Sequence, residues 1–94
     1  MNSTDIKGHL ILVAGAASGI GREIAKNLLS KGAVVAACDK NMEALQSFKT
    51  ESSSQNLYIF KIDFLEMNSI EECVAKVESD LGPLKAAVNC VGVL

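Results

Sequence analysis

The sequence predicts an α/β domain built on a parallel sheet, and three observations carry that prediction. Four apolar runs of strand length alternate with three amphipathic helical patterns along 94 residues. The first two runs are apolar throughout, as strands covered on both faces are. A Gly-x-x-x-Gly-x-Gly turn, from Gly15 to Gly21, joins the first run to the first helical pattern.

The first strand is expected over His9 to Val13 and the first helix over Ile20 to Ser30. Ile20, Ile24 and Leu28 recur at four-residue spacing beside Ala25 and Leu29, which makes one apolar stripe. Lys31 suits the negative end of that helix, and Gly32 stops it. Ala33 to Cys38 reads as the second strand, ended by Asp39. Asn41 caps a second helix whose buried side carries Met42, Leu45 and Phe48. Leu57 to Ile62, rich in β-branched and aromatic residues, is the third strand. Asn68 or Ser69 opens a third helix, each with Glu three residues on (Glu71, Glu72), a capping-box pattern. Ile70, Cys73, Val74, Val77 and Leu81 form its stripe, and Gly82-Pro83 ends it. Leu84 to Val91 is the fourth strand. The order βαβαβαβ implies right-handed crossovers between parallel strands.

Composition narrows the possible functions. Apolar residues make up 49% and charged residues 21%, a globular balance rather than a disordered one. The net charge is −2 with no basic stripe, which argues against a nucleic-acid partner. No apolar run reaches the roughly 18 residues of a membrane span. The N-terminal residues lack the layout of a signal peptide. Cys38, Cys73 and Cys90 are far apart in sequence, form no Cys-x-x-Cys and sit in apolar patterns. They read as small hydrophobes in a reducing, cytoplasmic compartment. His9 is the single histidine and stands apart from any ligand cluster, so no metal is expected.

The strand-turn-helix context gives the glycines a chemical meaning. A dinucleotide pyrophosphate needs close approach to backbone amides at a helix N-terminus, where unpaired N–H groups and the dipole favour anions. A side chain at Gly15 or Gly19 would block that approach or forbid the turn, and Gly21 lets the helix pack closely. Asp39 ends the second strand eighteen residues after Gly21, near the spacing of an acid that holds the adenosine ribose. Such a carboxylate repels a 2′-phosphate and so favours NAD over NADP, although Lys40 beside it blunts the preference. A simple turn role for Asp39 is the competing reading.

Gly15 to Gly21, with Ser18-Gly19-Ile20-Gly21-Arg22 inside it, resembles the turn of the short-chain dehydrogenase/reductase family. The family motif is Thr-Gly-x-x-x-Gly-x-Gly, and Ala14 stands where Thr is usual. Asp63-Phe64 resembles the family's Asp-Val pair after the third strand, which reads adenine; a plain turn Asp is the alternative. Asn89-Cys90-Val91-Gly92 resembles Asn-Asn-Ala-Gly at the end of the fourth strand, where the leading Asn ties neighbouring strands together. The resemblance implies a Rossmann-type doubly wound sheet of strand order 3-2-1-4, cut off after strand 4. Residues 1–94 would then be the N-terminal half of an NAD(P)-binding domain. The implied cofactor contacts are Gly15, Ser18, Gly19, Ile20, Gly21, Asp39, Asp63, Phe64, Asn89, Val91 and Gly92. Ser18 occupies the place where phosphate-preferring members carry a basic residue, which again favours NAD.

The implied activity is hydride transfer between the cofactor and an alcohol or carbonyl. The family's catalytic Ser, Tyr and Lys follow strand 4, so no catalytic residue is assigned within the chain. Its one tyrosine, Tyr58, is followed four residues later by Ile62 and reads as a packing residue. The chain alone is therefore expected to be inactive. It is also expected to be marginally stable or dependent on a partner, because the apolar edge of the fourth strand would face water. Full-length members are commonly homo-oligomers. A non-catalytic nucleotide-binding module and a non-functional truncated product are the alternatives.

Overall fold

A computed structural model describes residues 6–63 and 69–91. The elements run β1 (Leu10–Ala14), α1 (Gly19–Ser30), β2 (Val34–Asp39), α2 (Met42–Ser52), β3 (Leu57–Lys61), α3 (Ser69–Leu81) and β4 (Ala86–Asn89). The strands form one parallel sheet in the order β3-β2-β1-β4, as expected. In register, Ala14 stands between Cys38 on β2 and Asn89 on β4. The C-terminal ends of three strands thus reach one edge together. The chain reverses direction across the sheet between β1 and β4, which is where such sheets form a ligand crevice.

Strand alternation divides the core in two. Ile11, Val13, Val35 and Ala37 face one side, where they bury Ala25 of α1, Leu45 and Phe48 of α2, and Leu57. Leu10, Leu12, Ala14, Ala36 and Cys38 face the other, against Cys73 and Val77 of α3. Both faces of β1 are therefore dry, which accounts for its unbroken apolar sequence.

Some expected details shift. The α1 stripe does not bury Ile20, which is 76% exposed; Gly21 and Ala25 are the buried pair. Small residues bring the helix axis close to the sheet and leave the bulkier neighbours at the rim, with Leu28 and Leu29 rejoining the core a turn later. Ile70 is likewise exposed on α3. The β3 strand stops at Lys61 and β4 spans only Ala86–Asn89, one or more residues short of the runs read from sequence. Single backbone bonds carry the pairing past both: Ile62 N–H donates to Asp39 O (2.9 Å), and Lys85 and Cys90 donate to Leu10 O and Ala14 O (2.8 Å each). Tyr58 is not a packing residue. It lies on the outer surface of β3, with the Lys49 ammonium 5.7 Å from its ring centre. Asn68 lies outside the described residues, which leaves Ser69 as the first described residue of α3.

The cap expected of Asn41 is present: its Oδ1 accepts from Ala44 N–H at 3.0 Å. Asn41→Ala should cost about 1 kcal/mol. On a domain of this size that lowers the thermal midpoint by roughly 4–8 °C. Far-UV circular dichroism during heating reads the shift, and Asn41→Asp should restore it. An unchanged midpoint would mean that α2 starts without its cap.

Candidate functional site

The site begins where β1 ends. Gly15 turns the chain with φ +79°, and one carbonyl fixes the turn: Gly15 and Ala16 N–H both donate to Cys38 O, at 2.8 and 3.2 Å. A Cβ on Gly15 would lie 2.8–2.9 Å from backbone atoms of Cys90 and Val91. Gly15 is thus required by the end of β4 as well as by its own conformation. Gly21 is tighter still. A Cβ there would overlap Gly15 O, lie 2.8 Å from Gly15 C and stand 3.2 Å from Cys90 Cβ.

Gly19 differs from both. Its φ is +61°, yet a Cβ would meet no atom within 4 Å. It is the motif glycine with open space over it, at the N-terminus of α1. The N–H groups of Gly19, Ile20 and Gly21 find no acceptor among the described residues, as the first amides of a helix do not. Ser18 is exposed and makes no capping bond with its side chain. An anion can therefore be bound here by backbone alone.

Asp39 meets this turn from β2. Its Oδ2 accepts from Ala17 N–H and its Oδ1 from Asn41 N–H, each at 3.1 Å. The carboxylate both holds the glycine turn and starts the connection to α2, so the turn role is real. A carboxylate offers about four lone-pair sites, so acceptor capacity remains for hydroxyls beside the turn. The residue is half-buried and next to exposed Lys40. The Asp39–Ala17 bond spans 22 residues, and sequence spacing gave no signal of it.

On the far side of the turn, Asn89 Oδ1 accepts from Val91 N–H at 3.0 Å. Its side chain thus folds back on its own segment and, among the described residues, makes no bond to a neighbouring strand, a correction to the expected role. The Asn89–Val91 segment borders Gly15. Asp63 is exposed, two residues beyond β3. Phe64 and Gly92 lie outside the described residues. The structure therefore groups Gly15, Ser18, Gly19, Ile20, Gly21, Asp39, Asn89 and Val91 at one end of the sheet, with Asp63 following the outermost strand. Sequence reading gave Arg22 no role of its own. Its guanidinium lies 4.9 Å over the Phe48 ring and pairs with Glu51, joining α1 to α2. Among the described residues, no group of three or more His, Cys, Asp or Glu could hold a metal ion, and no helix is long and apolar enough to cross a membrane.

Fold and site together define a Rossmann-type α/β domain, with a glycine turn at the switch point and an acid at the end of the adjacent strand. The chain belongs to the short chain dehydrogenase family, whose model matches residues 9–94. It is 35% identical over 96 residues to 2,3-dihydro-2,3-dihydroxybenzoate dehydrogenase of Bacillus subtilis, covering all of this chain and 37% of that protein. It is 36% identical over 92 residues to bovine (Bos taurus) 15-hydroxyprostaglandin dehydrogenase [NAD(+)], covering 94% of this chain and 35% of the enzyme. Among solved structures, an actinorhodin polyketide ketoreductase with NADPH superposes with a TM-score of 0.81 at 33% identity, covering 99% of this chain and 36% of that one. The chain thus spans little more than a third of the length of these relatives.

Proposed function

We propose that this chain is the dinucleotide-binding part of an oxidoreductase that moves hydride between a nicotinamide cofactor and an alcohol or carbonyl, with NAD preferred over NADP. The observation that carries the reading is Asp39, whose carboxylate is bonded to the glycine turn itself through Ala17 N–H. An acid that would read the ribose and a turn that would bind the phosphates are thus joined by one hydrogen bond. The residues present fit the cofactor. The amides of Gly19, Ile20 and Gly21 are available, and the space over Gly19 is open. These amides would hold the pyrophosphate, Asp39 the adenosine ribose, and the Asn89–Val91 segment the ribose nearer the reacting ring. Asp63, with Phe64 beside it, would read adenine. The bound nicotinamide would supply the hydride acceptor or donor.

Cofactor preference follows from charge. The Asp39 carboxylate opposes a 2′-phosphate, and Ser18 brings no cation to offset it. The relatives include one named for NAD(+) and one solved with NADPH, so the preference rests on these residues and not on kinship. Tyr58 is given no part in proton transfer, since it sits on the outer surface of β3 with Ile62 four residues later. Among the described residues β4 pairs only with β1, and Ala86, Ala87 and Asn89 are exposed. Further sheet, or a partner, would cover that flank.

Titration of the purified chain with NAD and with NADP tests the reading, by calorimetry or saturation-transfer NMR. Saturable binding that favours NAD is expected. Equal affinity would remove the role given to Asp39, and absence of binding by a folded chain would remove the proposal.

A further inference from the structure

Cys38 on β2 and Cys73 on α3 are 35 residues apart in sequence, yet their sulfurs lie 3.1 Å apart. Both are free thiols and both are buried, at 0% and 1% exposure. A disulfide needs about 2.05 Å between sulfurs, so a closure of about 1 Å would bond them. We propose that Cys38 and Cys73 are a redox pair that a small peroxide converts reversibly to a disulfide linking β2 to α3.

The pair differs from two buried thiols that happen to touch. The hydrogen bond they share, together with burial and the charge of neighbouring Asp39, pushes the Cys38 thiol far up. The same bond holds Cys73 below its ordinary value, against the opposing effect of burial. Cys73 therefore loses its proton first, and Cys38 S–H then donates to the thiolate. Thiolate is the reactive form. Access comes from α3, on which Cys73 and Val77 are the fully buried side chains among those described. A helix held by so few buried groups opens locally at lower cost than the sheet does.

The chemistry balances. The Cys73 thiolate attacks one oxygen of hydrogen peroxide, the O–O bond breaks, and hydroxide leaves and takes up a proton to become water. The resulting sulfenic acid is attacked by the Cys38 sulfur; the S–S bond forms, the S–O bond breaks, and the second water leaves with the thiol proton. Two thiols lose two electrons and two protons, and the peroxide gains both. A dithiol reductant reverses the step. The bond would lock the residue whose carbonyl holds Gly15 and Ala16.

The test uses the folded chain, reduced, freed of reductant, treated with hydrogen peroxide and then capped with N-ethylmaleimide. Trypsin places the cysteines on separate peptides, Cys38 on 32–40, Cys73 on 62–76 and Cys90 on 86–94. The expected product is peptide 32–40 joined to 62–76, two hydrogens lighter than the sum, with Cys90 still capped. Dithiothreitol should remove it, and Cys90→Ser should leave it unchanged. Cys90 is half-buried and so easier to reach, which means that unselective oxidation would show there first. Bridges that include Cys90, sulfinic acid at Cys73 without a bridge, or a bridge that forms only in urea would each overturn the proposal.

Discussion

Gly21→Ala is expected to destabilise the fold by about 3 kcal/mol, the upper part of the range for overpacking. The sign is what makes the prediction useful. Within a helix, Gly to Ala ordinarily stabilises by about 0.5–1 kcal/mol. Gly21 sits inside α1, but its missing side chain is where the glycine turn passes. The added methyl would overlap Gly15 O and press on Gly15 C at 2.8 Å, and both are backbone atoms. They cannot yield cheaply, because Gly15 and Ala16 N–H are bonded to Cys38 O and Gly15 is itself backed by Cys90 and Val91. For a domain of this size the loss corresponds to a fall of roughly 12–24 °C in thermal midpoint. Gly19→Ala is the control. Its methyl enters open space, so the cost is confined to the φ +61° conformation, about 1–2 kcal/mol. Thermal melts of the two variants beside the parent check the order. A Gly21→Ala protein that melts at or above the parent would show that α1 does not seat on the turn as described.

The contrast between the two glycines shows what the sequence could and could not convey. Parallel pairing and the place of the glycine turn were legible, because each depends on local pattern and on chain-order rules, whereas the strand order was legible only through the resemblance to the family. The Asn41 cap was legible for the same reason, since its partner Ala44 is three residues away. Which glycine leaves room for a ligand and which is crowded by protein was not legible. The atoms that crowd Gly15 belong to Cys90 and Val91, more than seventy residues further along the chain. The Cys38–Cys73 contact was hidden in the same way. Each cysteine fits its own apolar run, and only the packing of α3 on β2 brings them together. Helical spacing also misplaced Ile20: a stripe drawn at four-residue intervals cannot see that Gly21 draws the helix in and turns its neighbour outward.

Asp39 carries the second large effect, and its turn bonds and its proposed ribose contact can be separated by substitution. Asp39→Ala removes both bonds the carboxylate accepts, from Ala17 and Asn41. Ala17 is buried, so its N–H is left without an acceptor, at a cost of about 1–3 kcal/mol. NAD affinity should fall with it. Loss of the proposed charge-assisted bonds to the ribose hydroxyls, worth about 2–3 kcal/mol in sum, corresponds to a drop of roughly 30- to 150-fold. Asp39→Asn divides the roles. The amide keeps one oxygen able to accept from a backbone N–H, so much of the stability should return. It lacks the negative charge that opposes a 2′-phosphate, so NADP should bind more tightly than it does to the parent while NAD binds less tightly. Calorimetric titration of both nucleotides against the parent and the two variants, with a melt of each, reads all of this at once. The expected pattern is a preference for NAD that collapses towards unity in Asp39→Asn while the fold persists. If Asp39→Asn instead keeps the parent's preference, the carboxylate serves the turn alone, and selectivity must be sought in residues beside it, Lys40 first.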